Sequence, residues 1–138
     1  MDCQAMPEGI QDFHMPRFRE LPAIGLYLEQ VTTLIGDALL PLGGDRVTSS
    51  MLSNYVKKKL VASPVKKQYS REQVAQLMFI SVVKSVMTLE QIGTVLRMQQ
   101  ERFDNERAYD YFCNELETML VHVFSAEHMP TAVKPDMP

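Results

Sequence analysis

Cysteine and histidine are scarce in this chain, and the few present are poorly spaced for chemistry. Cys3 and Cys113 stand 110 positions apart, so no CxxC pair signals a zinc ribbon or a redox dithiol. His14, His122 and His128 are scattered, with no HExxH or HxxxH spacing, which removes the common helical metal sites. Gly43-Gly44 is the only glycine pair, and it lacks the rest of a phosphate-binding loop. Cys113 and His122 share a predicted helix, but nine residues is two and a half turns. They point to opposite faces and form no nucleophile–base pair. Glu115 and Glu117, two apart, diverge on the same helix. These absences lead to the expectation of a non-enzymatic chain with no cofactor and no metal.

Long apolar runs are also missing. The strongest, LMFISVV at 77–83, is far too short to span a bilayer. The opening MDCQAMPEGIQD has neither the basic start nor the apolar stretch of a signal peptide. The expectation is a cytoplasmic protein with no membrane partner. There is no internal repeat.

What remains is an ordinary globular composition. The 138 residues are 46% hydrophobic and 22% charged, enough for one domain that buries a core without disulfides or metals. Cys113 and the methionines Met51, Met78 and Met119 fall on predicted apolar helix faces, where filling gaps is their expected role.

Charge is the uneven feature. Arg46, Lys57, Lys58, Lys59, Lys66, Lys67 and Arg71 place seven cations in residues 46–71, which hold no Asp or Glu. The other 7 basic residues are set against all 17 acidic ones, a net −10 outside that block. A block of +7 in an acidic chain is the electrostatic footprint expected for a polyanion such as double-stranded DNA. The plain alternative is a solvated face with helix-end cations.

The apolar spacing predicts four or five helices and one short extended break. Residues 1–19 look irregular, an arm that packs on the domain or a loose tail. A first helix is predicted over about 23–40, with Pro22 at its start and Ile24, Leu28, Val31, Ile35, Ala38 and Leu42 as its stripe. A second runs from Thr48 or Ser49 to about Lys59, burying Leu52, Tyr55 and Val56. Ser49, Ser50, Ser53, Asn54 and Lys57 then point outward, a set of hydroxyls, amide and cation suited to DNA.

Residues 60–69 read as extended or hairpin-like, turning at Ser63-Pro64, with Lys66 and Lys67 just after. Ser70 with Gln73, and Thr88 with Gln91, are capping boxes that open helices three and four. The fourth is expected to fray over 97–102. The fifth, about 105–124 within a C-terminal unit of 103–125, carries Tyr109, Phe112, Cys113, Leu116, Met119, Leu120, Val123 and Phe124. Residues 20–126 thus form one helical domain, and 127–138 a flexible tail.

The order NYVKKKL, a short basic piece, YSREQVAQLMFI and TLEQIGTVL resembles the DNA-binding domain of MerR-type regulators over residues 46–96. Asn54-Tyr55 occupies the family's double-Tyr position and Leu60 its Leu after the Gly. Lys67 and Tyr69 match its Arg-x-Tyr. Val74, Leu77, Phe79 and Ile80 match its third-helix apolars, and Thr88, Leu89 and Ile92 its Ser-Leu-x-x-Ile. Ser53 stands where the family has an Arg, and Lys59 where it has a Gly. Val86-Met87 replace a Gly-containing corner that is one residue longer. The wing is clipped, and the helix before Val47 is longer than usual.

The whole chain, with its LPAIGLYLEQ start and YFCNELE end, is similar to a bacterial family of unknown function that pairs such a core with flanking helices. The resemblance implies a mainly all-α fold: a MerR-like winged helix-turn-helix with a short wing and long N- and C-terminal helices. It implies a transcriptional regulator whose recognition helix enters the major groove. The expected contacts are Thr48, Ser49, Ser50, Ser53 and Asn54 on base edges, Asn54 toward adenine. Lys57, Lys58, Lys66, Lys67, Tyr69 and Arg71 lie on the basic segment, with Arg46 beside it. It also implies a homodimer through the C-terminal helix. The competing expectation is a protein-interaction module on the same scaffold. A third is a regulator answering to a small molecule held between helices one, three and five.

Overall fold

The computed structural model describes residues 13–102 and 104–126. Cys3, the first twelve residues, the 127–138 tail and the Phe124 side chain lie outside the described residues. Among the described residues are five α-helices: α1 (Leu28–Leu39), α2 (Ser49–Lys57), α3 (Arg71–Val83), α4 (Leu89–Arg102) and α5 (Asn105–Ala126). No helix there is long and apolar enough to cross a membrane.

α3 is the central element and touches α1, α4 and α5. Val74, Ala75, Leu77, Met78, Phe79, Ile80 and Ser81 are all buried, so this helix is enclosed on most sides. Each large side chain among them contributes roughly 1.5–3 kcal/mol against exposure. The one hydroxyl among these α3 residues, on Ser81, donates to the Leu77 carbonyl at 2.8 Å. Both predicted capping boxes form. Gln73 N–H donates to Ser70 at 3.2 Å while Ser70 N–H donates to Gln73 at 2.8 Å. Thr88 and Gln91 repeat the exchange at 3.0 and 2.9 Å.

Three boundaries differ from expectation. α1 starts at Leu28, not near Ala23. Leu26 is extended and pairs with Tyr69 in both directions, at 3.1 and 2.7 Å, so its backbone is already committed to a bridge. Ile24, the first member of the expected stripe, is consequently outside the helix and 73% exposed. α4 continues to Arg102 instead of fraying at Arg97. The turn in the 60–69 segment falls at Lys66-Lys67, not Ser63-Pro64. Val65 and Gln68 exchange both backbone bonds, at 3.2 and 2.9 Å, which leaves two residues at the tip of the hairpin.

The apolar pattern of α5 holds only at its N-terminal half. Tyr109, Cys113 and Leu116 are buried, but Met119 is 53% exposed, with Val121 and Val123 also exposed. The polar edge of α5 holds residues 13–21, whose Phe13, Met15, Phe18 and Leu21 enter the core. Phe18 N–H donates to Asp110 at 2.8 Å, Arg19 to Glu106 at 2.8 Å, and Tyr109 to the Pro16 carbonyl at 2.8 Å.

Candidate nucleic-acid interface

The predicted contact residues separate into three groups once their partners are known. The first is the outer face of α2. Thr48 is the N-cap and accepts the Met51 N–H at 3.2 Å. Ser49 lies 2.9 Å from the Thr32 hydroxyl. Thr32 donates its own proton to the Leu28 carbonyl at 2.8 Å, so Ser49 is the donor in that pair. These two hydroxyls therefore position α2 against α1. Ser50, Ser53, Asn54 and Lys57, with Ser49 and Leu28, line an open cleft of about 390 Å³. Among the described residues, Ser50, Ser53 and Asn54 make no side-chain hydrogen bond.

The second group is the exposed cations. Arg46, Lys57, Lys58, Lys66 and Lys67 are all exposed. Ion pairs among the described residues fall on His14, Arg17 and Arg19, and none engages a cation of this group. The backbone under these lysines is unusual. Lys59, Lys66 and Lys67 have φ of 65°, 53° and 65°, the only positive values outside glycine among the described residues.

Lys59 ends α2 in a Schellman motif. Leu60 N–H reaches the Tyr55 carbonyl at 3.0 Å, and Lys59 N–H the Val56 carbonyl at 2.9 Å. Lys66 and Lys67 occupy both left-handed positions of a two-residue hairpin, where Asn-Gly is the usual choice. A side chain in this region costs on the order of 1–2 kcal/mol.

The third group is occupied elsewhere. Tyr69 is 5% exposed and belongs to the core, with burial pushing its phenol above the ordinary range. Arg71 donates from Nε to the Leu21 carbonyl at 3.0 Å and sits 5.4 Å over the Phe18 ring. It holds the N-terminal segment to α3, so neither residue is placed as a DNA contact.

The third expectation places a ligand between helices one, three and five. Among the described residues, a cleft between α3, α4 and α5, lined by Phe79, Leu96 and Phe112, measures about 30 Å³. That is room for water, against the several hundred Å³ of a small-molecule site. No cluster of three His, Cys, Asp or Glu among the described residues could hold a metal ion. Sequence reasoning placed Tyr109 and Cys113 on the α5 stripe but missed the polar row Glu106, Asp110, Asn114 and Glu117 beside it. Its steps of four, four and three keep it on one edge of the helix, the signal that was available.

These features define a mainly helical domain with exposed cations at the end of α2 and at the hairpin tip. A family model described as a domain of unknown function (DUF1836) matches residues 16–112, and the chain belongs to that family. No curated protein and no solved structure matches it.

Proposed function

We propose that the chain is a cytoplasmic, non-enzymatic DNA-binding regulator of transcription with a MerR-like winged helix-turn-helix as its reading unit. α1 and α2 form the helix-turn-helix, the hairpin at 65–68 is the short wing, and α2 enters the major groove. One observation carries this reading. Lys66 and Lys67 sit at a hairpin tip in a backbone conformation unfavourable for lysine, within a stretch free of Asp and Glu. Backbone strain of this kind clusters where function requires it. Ser50, Ser53 and Asn54 read base edges, with Asn54 suited to adenine. Arg46, Lys57, Lys58, Lys66 and Lys67 hold phosphates and set register.

The test is fluorescence anisotropy with random duplex DNA across a salt series. Five phosphate contacts per protomer give a log–log slope of about −4.5. The double variant K66E/K67E loses binding while keeping its fold. No binding by the wild type at low salt, or equal affinity of the variant, overturns the assignment.

A second reading concerns assembly. The exposed Met119, Val121 and Val123 on α5 favour a two-fold dimer through that helix. Sedimentation that reads a monomer at micromolar concentration overturns the dimer. A salt-insensitive protein complex in place of DNA binding makes the chain an interaction module instead.

A further inference from the structure

We infer that Tyr27, oriented by Gln68, is a phosphate-binding residue that joins the α2 face to the hairpin; this rests on the DNA-binding reading. Tyr27 is the residue before α1 and is 52% exposed. On one side its neighbour Leu28 lines the cleft with Ser49, Ser50, Ser53, Asn54 and Lys57. On the other, Gln68 follows Lys66 and Lys67 out of the turn, and its Nε2 donates to the Tyr27 Oη at 3.1 Å. The pair therefore bridges the two basic elements.

Both residues are held firmly. Tyr27 N–H donates to Gln30 at 2.8 Å, and the Tyr27 carbonyl accepts from Val31 at 3.0 Å. Gln68 is bonded to Val65 through both backbone groups, and the adjoining Leu26 and Tyr69 pair with each other. Gly25 makes room for the Gln68 side chain. A Cβ at that position would stand 2.7 Å from Gln68 Oε1 and 2.8 Å from its Cβ.

The phenol oxygen accepts from Gln68, and its own O–H has no acceptor among the described residues. A phenol whose lone pair is engaged and whose proton is unspent is a donor awaiting an oxygen. Between two cationic elements, the matching acceptor is a backbone phosphate, which would give a charge-assisted bond. Such a contact fixes the spacing between the phosphates held by Lys57 and those held by Lys66 and Lys67.

Anisotropy of the full chain on duplex DNA separates this from general attraction. Tyr27→Phe removes the proton donor alone. We expect about a tenfold loss of affinity, the lower end for a hydrogen bond to a charged group. The salt slope stays that of the wild type, because a neutral donor releases no counterion. Gln68→Ala leaves the donor unoriented and should lose about threefold, while Lys67→Ala lowers the slope by about one. Melting temperatures of Y27F and Q68A should match the wild type.

Wild-type affinity in Y27F, or losses that track lowered melting in both variants, overturns the inference and leaves the DNA reading intact. Failure of the wild type itself to bind removes both.

Discussion

Arg17 and Glu117, 100 positions apart, meet in a two-point contact: Nη1 lies 2.7 Å from Oε2 and Nη2 3.0 Å from Oε1. The same guanidinium donates to the Met15 carbonyl and to Asn114, and Glu117 also accepts the Met15 N–H at 2.7 Å. This is the main polar tie between residues 13–21 and α5. Phe18 and Leu21 carry the tie onward to α3 through Arg71.

Removing one partner should cost more than the pair contributes. Glu117→Ala strands the Arg17 guanidinium and the Met15 N–H in a half-buried place, at about 1–3 kcal/mol. Arg17→Lys keeps the charge but loses the planar fork, so it should recover only part of that. Urea denaturation measures both. An E117A midpoint equal to the wild type would show that the contact is merely superficial.

The same pair predicts an acid limb of stability. The Arg17 hydrogen bonds hold the Glu117 carboxyl below its ordinary 4.5, and the Arg17 N–H does the same for Glu20. A folded-state value below the unfolded one means the unfolded chain binds more protons in that window. The stabilisation is therefore complete above pH 4.5 and lost as pH falls through the depressed value. Melting temperature against pH should fall more steeply below about pH 4.5 in the wild type than in E117Q. Parallel curves would refute the assignment.

Cys113 reports whether the N-terminal segment is docked. It is fully buried, its Sγ is 3.7 Å from the Pro16 carbonyl, and burial pushes its thiol to about 11. In a Cys3→Ser background, native protein should resist thiol reagents at neutral pH, since the thiolate is the reactive form. Adding Glu117→Ala should speed labelling about tenfold, as expected if docking loses at least ~1.4 kcal/mol. Identical rates would separate Cys113 exposure from the Arg17 contact.

If the hairpin lysines hold DNA as proposed, they set stability against binding. Lys59→Gly and Lys67→Gly each relieve a strained backbone and should raise stability by about 0.5–1 kcal/mol. Lys67→Gly should at the same time weaken DNA binding and flatten its salt dependence by about one. Thermal melts and anisotropy on the same samples decide it. A Lys67→Gly protein that is both more stable and an equal binder would remove the functional reason for the strain.

Local chemistry was legible wherever one short segment contains its own explanation. Ser70 with Gln73 and Thr88 with Gln91 each cap a helix over three residues, and the structure has both. The stripe of α3 and the start of α5 follow from spacing in the same way. Errors came where backbone pairing, remote or local, overrode side-chain spacing. Leu26 left the first helix because Tyr69 pairs with it, and the turn moved to Lys66-Lys67 because Val65 pairs with Gln68. Met119 and Val123 continue the α5 pattern but find no neighbour within the described chain to cover them.

The sequence by itself determined the class of fold, the main helices and the block of positive charge. Each rests on periodicity, capping or composition, which act over a few residues. Tertiary structure decided which of the predicted contacts face outward. Tyr69 and Arg71 carry the right chemistry but are drawn inward by Leu26, Leu21 and Phe18. Tyr27 and Gln68 come within hydrogen-bond reach only because a bridge brings positions 26 and 69 together. A side chain's chemistry is written in its own residue, whereas its availability depends on which remote groups have already claimed it.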